Sequence, residues 1–183
     1  MRKHIIVIIT VVVTISLITF LIINANNQTF LEKEGLDGLS TVQMVEKLEA
    51  KTIDPNRFNA SITASLLTIM TKDAVYTFDV PDDLFYLSIA PYLSQTHPCG
   101  THSLVTCRGE LKNKSFYILV KDDEGNTIYD QTVKSGSNGF AGIWLPRNIK
   151  GTIYVEYENY NAMTEIETYD NSNTCLTTMK LTE

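Results

Sequence analysis

The chain has 183 residues, and its 15 basic and 21 acidic side chains give a formal charge of −6 at pH 7. Among the charged residues only Arg2 and Lys3 fall within the first 25 positions, so residues 26–183 carry a formal charge of −8. An acidic chain with no basic run lacks the positive patch that phosphates require, which argues against nucleic acid and anionic lipid as partners. The length supports one domain with a hydrophobic core, or a small domain and an appendage.

The first 25 residues are typical of a membrane anchor or a long signal peptide. Residues 5–23 contain no charged side chain and are mostly Ile, Val and Leu. As a helix they would span about 28 Å, close to the roughly 30 Å core of a bilayer. Arg2 and Lys3 place the preceding end in the cytoplasm, so the rest of the chain is expected outside it. The length of the apolar run favours an uncleaved anchor, whereas cleavage near Ala25 would give a secreted protein.

Residues 26–36 are polar and predict a linker, after which the first regular element begins. Ser40 and Gln43 fit a capping box, and apolar residues then recur on one face of a helix over residues 41–51. Such a face packs on its own domain or against a second copy of the chain. Residues 37–80 are therefore assigned to an N-terminal helix-hairpin region that could form a homodimer.

Runs rich in β-branched and aromatic residues, separated by Gly, Asn, Asp and Pro, predict strands from residue 61 onward. The first two, residues 61–70 and 74–80, are joined as a hairpin by Thr71, Lys72 and Asp73. Further strands are predicted at residues 84–90, 115–121, 127–133, 139–145, 152–158, 163–168 and 175–181. This spacing predicts an α+β fold, with a small N-terminal helical segment followed by a mostly antiparallel, sandwich-like β domain over residues 81–183.

Residues 96–107 read THPCGTHSLVTC and concentrate soft metal ligands, namely His97, Cys99, His102 and Cys107. Thiolate sulfur and imidazole together suit Cu(I) or Zn(II), whereas Mg and Ca prefer oxygen ligands. Zinc often takes two cysteines from a short C-x2–4-C knuckle, which this stretch lacks. The irregular spacing therefore favours Cu(I), with Zn(II) as the second candidate ion.

The cysteines also have a structural explanation. Three cysteines in an oxidising compartment form at most one internal disulfide and leave one thiol over. A Cys99–Cys107 or a Cys107–Cys175 disulfide would fasten the loop to the β domain, with His97 and His102 exposed. Alternatively, a pair of thiols would reduce Cu(II) and bind the resulting Cu(I), and the third thiol would attack the disulfide that forms.

Three blocks of the sequence resemble the CueP family of exported copper-resistance proteins. The blocks are FYLSIAPYLSQTHPCGTHSLVTCRGEL at residues 85–111, NGFAGIWLPR at residues 138–147 and CLTTMKL at residues 175–181. The resemblance implies a copper-binding protein of the cell envelope, with a helical, dimer-forming N-terminal part and a β-rich domain. It further implies that Cys99, Cys107 and Cys175 are the working cysteines, which requires Cys175 to lie beside the loop.

The residues and the resemblance together predict an extracytoplasmic copper-binding protein for copper resistance or copper delivery. Cys99, Cys107 and Cys175 would hold copper as Cu(I), and His97 and His102 would be additional ligands or would tune the thiol pKa. A copper-accepting protein is an expected partner. The first alternative is a thiol-dependent copper-reducing or thiol-disulfide redox enzyme that uses the same cysteines. The second is an adhesive β module with a structural disulfide and no metal.

Overall fold

The computed structural model describes residues 29–183, so the predicted anchor or signal peptide in residues 1–25 lies outside the described residues. Among residues 29–183 no helix is both long and apolar enough to cross a membrane. Internal contacts divide the chain into one unit that ends at Leu39 and a second unit that runs from Ser40 to Glu183.

Helix α1 comprises Phe30–Glu34 and belongs to the first unit. Thr29 caps this helix, because its backbone N–H donates to the Glu32 carboxylate at 2.6 Å and its hydroxyl accepts from the Glu32 N–H at 3.2 Å. Gly35 ends the helix in the left-handed conformation, with φ 65°, where glycine carries no steric penalty. This helix lies within the predicted linker and was not predicted, because five residues are too few to show helical periodicity.

Helix α2, Thr41–Glu49, opens the second unit and agrees with the predicted helix. Ser40 and Gln43 form the predicted capping box, which satisfies backbone N–H groups at the start of the helix. The buried residues of the helix lie on its apolar face and are Met44, Val45 and Leu48. The helix ends at Glu49, whose carboxylate reaches the candidate site described below.

The remainder of the described chain is mostly antiparallel β structure, as predicted. The strands are β1 (Asn59–Ile62), β2 (Leu66–Met70), β3 (Val75–Asp79), β4 (Leu84–Ile89), β5 (His102–Ser103), β6 (Ser115–Asp122), β7 (Thr127–Lys134), β8 (Ala141–Pro146), β9 (Lys150–Tyr157), β10 (Tyr160–Glu167) and β11 (Cys175–Leu176). They form three sheets with the orders β3-β2-β1-β5, β10-β9-β6-β7 and β11-β4-β8. Among these strands the pair of β11 and β4 is parallel.

Residues 61–70 do not form the single strand that was predicted. They are divided between β1 and β2 by a tight turn that begins at Thr63. The Thr63 N–H donates to the Leu66 carbonyl at 2.9 Å, and the Thr63 hydroxyl accepts from the Leu66 N–H at 3.0 Å. A threonine side chain that bonds nearby backbone groups favours a turn over a continuous strand. The predicted hairpin that follows is present, with β2 paired antiparallel to β3.

Two of the sheets enclose the main hydrophobic core. Alternate residues of β4, β8, β6 and β9 point into it, and these include Phe85, Leu87, Ile89, Ala141, Ile143, Leu145, Phe116, Ile118, Val120, Ile153 and Val155. Successive strand residues point to opposite faces, so Ser88 of β4 faces away from this core. Burying each large apolar side chain contributes about 1.5–3 kcal/mol. Core packing therefore holds β4 in place, and its other face carries residues of the candidate site.

Two short strands, β5 and β11, bring distant parts of the chain close to β4. The predicted strand over residues 175–181 is reduced to β11, in which Cys175 lies opposite Ser88 of β4. Strand β5, which was not predicted, pairs with β1 and places His102 opposite Ile62. Two-residue strands carry too little periodicity to be read from sequence, and their positions depend on pairing with partners far along the chain.

The pairing of β1 with β5 also joins two predicted regions. It connects β1, which lies within residues 37–80, with β5, which lies within residues 81–183, and both strands belong to the unit that runs from Ser40 to Glu183. The domain boundary at residue 80 and the homodimer stay predictions.

Candidate metal centre

A disulfide between Cys99 and Cys175 ties the loop to β11. The two Cα atoms are 5.6 Å apart, and the Cys175 N–H donates to the Gly100 carbonyl at 3.1 Å. Both disulfides considered from sequence, Cys99–Cys107 and Cys107–Cys175, are therefore wrong. The reason is topological, because the parallel pairing of β11 with β4 lays Cys175 directly against the backbone that follows Cys99.

Cys107 is the free cysteine, and its sulfur lies at the centre of the site. The side chain is 9% exposed. Its Sγ is 3.6 Å from Sγ of Cys99 and accepts from the Ser103 N–H at 3.3 Å. Burial raises the pKa of a thiol, but the interactions with His102 and with the Ser103 N–H outweigh it and lower the pKa of Cys107 from its usual value.

His102 is fully buried, with 0% exposure. Its Nε2 lies 3.1 and 3.3 Å from the two carboxylate oxygens of Glu49 and 3.2 Å from the Ser88 hydroxyl. Its backbone N–H donates to the Thr174 hydroxyl at 3.1 Å, which ties β5 to the residue before Cys175. Burial alone would lower the pKa of His102, but the Cys107 sulfur and the Glu49 carboxylate raise this pKa from 6.5 to about 9.

The other ring nitrogen of His102, Nδ1, has a different environment from Nε2. Nδ1 is buried and has no hydrogen-bond partner among the described residues. Nitrogen atoms of this kind normally find a partner, because an unsatisfied buried polar atom costs about 1–3 kcal/mol. The unpaired Nδ1 therefore marks a place where a ligand to the imidazole would relieve that cost.

The Glu49 carboxylate is held from a second direction by Asn138. The Asn138 side-chain amide donates to Glu49 Oε1 at 2.7 Å, and its carbonyl accepts from the Phe140 N–H at 3.0 Å. The turn that contains Asn138 packs closely against the backbone at Gly109. A Cβ atom on Gly109 would lie 2.5 Å from the Gly139 carbonyl oxygen. No local sequence pattern marks Glu49, Asn138 and Ser88 as site residues, because each acts through contacts with residues far along the chain.

All five residues predicted as ligands converge. Ligand atoms of His97, Cys99 and Cys107 lie within 4.8 Å of one another, and so do those of His102, Cys107 and Cys175. Cys107 belongs to both groups. The contact of Cys175 with the loop, which the family resemblance implied, is therefore present. The exposed position considered for His102 is wrong, and His97 is half-buried.

An open cavity of about 440 Å³ gives solvent access to the disulfide. Cys99 and Cys175 line it, together with the polar residues Asn171, Ser172, Asn173 and Thr178. Cys107 and His102 are not among its lining residues. The disulfide can thus be approached from outside, while the free thiol faces the buried histidine.

The donor set fits copper. It consists of soft sulfur and imidazole nitrogen, the ligand types that suit Cu(I), and the unpaired Nδ1 of His102 lies on a ring that belongs to the second ligand group. No group of carboxylates among the described residues competes as an oxygen site for a hard cation. Such a donor set on a β scaffold defines a candidate thiolate metal-binding protein.

Comparisons with known proteins identify the family. The family model described as "Periplasmic copper-binding protein CueP" matches residues 43–180, and the chain belongs to the CueP family. The crystal structure of S.CueP is similar to this chain, with 41% sequence identity and a TM-score of 0.79. The similarity covers 84% of this chain and 95% of the other. A comparison with curated proteins finds no match. The resemblance inferred from sequence is confirmed.

Proposed function

We propose that this protein binds copper outside the cytoplasm, capturing it as Cu(I) through Cys99, Cys107 and Cys175. The observation that supports this most directly is the convergence of the three sulfurs and two imidazoles into two groups that share Cys107. Family membership supports the metal, because the family is described as periplasmic and copper-binding. Sulfur ligands favour Cu(I) over harder ions, and Zn(II) is the competing candidate.

The three-cysteine ligand set exists only in the reduced protein. In the described state Cys99 and Cys175 are joined and Cys107 is the single thiol. Two electrons from an external reductant are required to release the other two thiolates. Copper capture in this form is therefore coupled to reduction of the disulfide, which the 440 Å³ cavity leaves accessible.

The test is a measurement of copper bound per chain under reducing conditions, with full-length protein in mild detergent. Wild type is expected to retain Cu(I), and the variant with Cys→Ser at all three positions is expected to lose it. Thr101→Ser, an exposed change in the same loop, is the matched control and should bind as wild type does. Equal copper binding by the wild type and the triple variant would refute the assignment.

A second candidate function is thiol-dependent reduction of Cu(II). The observation that favours it is the 3.6 Å contact between the Cys107 and Cys99 sulfurs beside an existing disulfide. Two thiols would give one electron each to two Cu(II) ions, forming one disulfide, two Cu(I) ions and two protons. Thiolate attack by Cys107 on Cys99 would then exchange the disulfide and release Cys175.

Turnover distinguishes these two functions. With excess Cu(II) and an external thiol, an enzyme produces Cu(I) beyond the amount that its own thiols can supply, after subtraction of the rate without protein. A binding protein stops after one stoichiometric equivalent. The adhesive β module predicts a third outcome, in which the purified protein binds no metal and is indifferent to substitutions in the loop.

The remaining partners are proposals that follow from the same function. A copper-accepting protein is expected, because a carrier must release its ion to another site. Attachment to the membrane through residues 1–25 and formation of a homodimer also stay predictions.

A further inference from the structure

We propose that Glu49, at the end of α2, is a positioning residue that holds His102 with its hydrogen on Nε2 and so presents Nδ1 to copper. The proposal rests on the copper-binding function and extends it to a residue outside the cysteine loop. Glu49 does not touch the ion in this scheme. It acts through the histidine, as carboxylates do behind metal-bound imidazoles in general.

Hydrogen-bond chemistry fixes which nitrogen carries the hydrogen. An ionised carboxylate only accepts hydrogen bonds, and both Glu49 oxygens lie within 3.3 Å of Nε2 of His102. The hydrogen that remains on a metal-bound imidazole therefore belongs on Nε2. The Ser88 hydroxyl, 3.2 Å away, can adapt because a hydroxyl both donates and accepts.

The opposite nitrogen is the one left for a ligand. Nδ1 is buried without a hydrogen-bond partner among the described residues, and the ring belongs to the group that contains Cys107 and Cys175. The contact of Nε2 with Glu49 and the missing partner of Nδ1 are independent observations, because they concern different atoms of the ring. Together they assign the two nitrogens different roles.

The carboxylate itself is held firmly. Asn138 donates to Glu49 Oε1 at 2.7 Å, and the Glu49 side chain is only 13% exposed. The residue also belongs to a helix whose apolar face is buried through Met44, Val45 and Leu48. A ligand oriented by such a support keeps its geometry before the ion arrives, which reduces the cost of ordering it on binding.

Glu49→Gln is the informative substitution, because it preserves size but leaves one acceptor oxygen for two donors, Asn138 and His102. Cu(I) affinity is measured on the reduced full-length chain by competition with a chromophoric Cu(I) chelator. We expect Glu49→Gln to weaken Cu(I) binding about 10–100-fold, the usual cost of losing such a partner. Glu46→Gln, on the same helix and exposed, is the matched control and should change affinity less than about twofold.

A double-mutant cycle distinguishes a role of Glu49 that acts through His102 from a purely structural role. If Glu49 acts through His102, Glu49→Gln causes almost no further loss of affinity in a His102→Ala background. If it only supports the fold, the same loss appears in both backgrounds, and the proposal is overturned. Unchanged Cu(I) affinity in the Glu49→Gln variant would overturn it as well.

A second measurement needs no substitution at Glu49. The chain has three histidines, so 15N-labelled histidine gives few ring signals, and His97→Ala helps to assign them. In the Cu(I)-loaded wild type, His102 is expected to show a protonated Nε2 and a metal-bound Nδ1. The reverse pattern, or an unbound His102 ring, would contradict the proposal. Wild type that binds no Cu(I) at all would instead refute the proposed function.

Discussion

The two histidines of one short loop have different environments. His102 is fully buried and is fixed through its ring by Glu49 and Ser88 and through its backbone by Thr174. His97 is half-buried and packs edge-on against Phe140, with the ring centroids 6.3 Å apart. Sequence alone treated them as equivalent ligands. The difference indicates one deeply buried imidazole with several hydrogen-bond contacts and one half-buried imidazole, in two groups that share the Cys107 sulfur.

The largest effect on stability is expected from loss of the Cys99–Cys175 disulfide, which ties the loop that carries both histidines to β11. Cys99 and Cys175 are 76 positions apart, and closing a loop of that length stabilises the fold by about 4.5 kcal/mol in the chain-entropy description. Urea unfolding with and without reductant should show this decrease in the free energy of unfolding. Cys175→Ser should reproduce it without reductant, and an unchanged midpoint would contradict it.

Reduction should also affect the two histidines unequally. The His102 amide donates to the Thr174 hydroxyl, which in turn donates to the Ile62 carbonyl of β1, whereas His97 lies two residues from the released Cys99. Amide hydrogen exchange is expected to quicken around His97 and to stay slow at His102. Equal acceleration at both positions would show that the disulfide, rather than the hydrogen bonds through Thr174 to β1, protects the backbone of the buried histidine.

The next largest effect, on Cu(I) affinity, is expected for Cys107→Ser, which removes the sulfur that the two ligand groups share. The substitution leaves the Cys99–Cys175 disulfide in place but removes a ligand atom from both groups. In the reduced protein we expect Cu(I) affinity to fall more than about 100-fold, beyond the usual loss of an outer partner. Chelator competition measures this, with Thr106→Ser at the neighbouring exposed position as the control. A loss below tenfold would remove Cys107 from the ligand set.

His102→Ala is expected to reduce stability as well as copper binding. It leaves the largely buried Glu49 carboxylate without its imidazole partner, which costs about 1–3 kcal/mol. Urea unfolding of the oxidised protein without copper measures this contribution alone. Glu49→Gln in the same background should recover part of the loss, because it removes the unpaired charge. No recovery would mean that the cost arises from lost packing.

The smallest effect is expected for His97→Ala. The ring is half-buried and its removal leaves no buried polar group unpaired, so the free energy of unfolding should change by less than about 0.5 kcal/mol. Cu(I) affinity should fall by less than it does in His102→Ala, measured by the same competition. A larger loss for His97→Ala than for His102→Ala would reverse the comparison between the two histidines.

Local patterns predicted the parts of the fold that depend on local chemistry. Ser40 and Gln43 marked the start of α2, because a capping box is complete within four residues. The alternation in β6 marked a strand with one buried face, and the short apolar run over residues 84–90 marked β4, which is buried on both faces. Prediction failed where a side chain competes with the strand, as Thr63 does, and where strands of two residues such as β5 and β11 exist only through distant pairing.

The sequence by itself determined which residues are candidate soft ligands, which family the chain resembles and that the fold is mostly antiparallel β structure. These depend on residue type and short-range spacing. The tertiary structure decided how the candidate ligands are arranged, through the disulfide partner of Cys99, the burial of His102 and the carboxylate of Glu49. Those contacts join residues 76 and 53 positions apart, and separations of that size are set by strand pairing and core packing rather than by any local pattern.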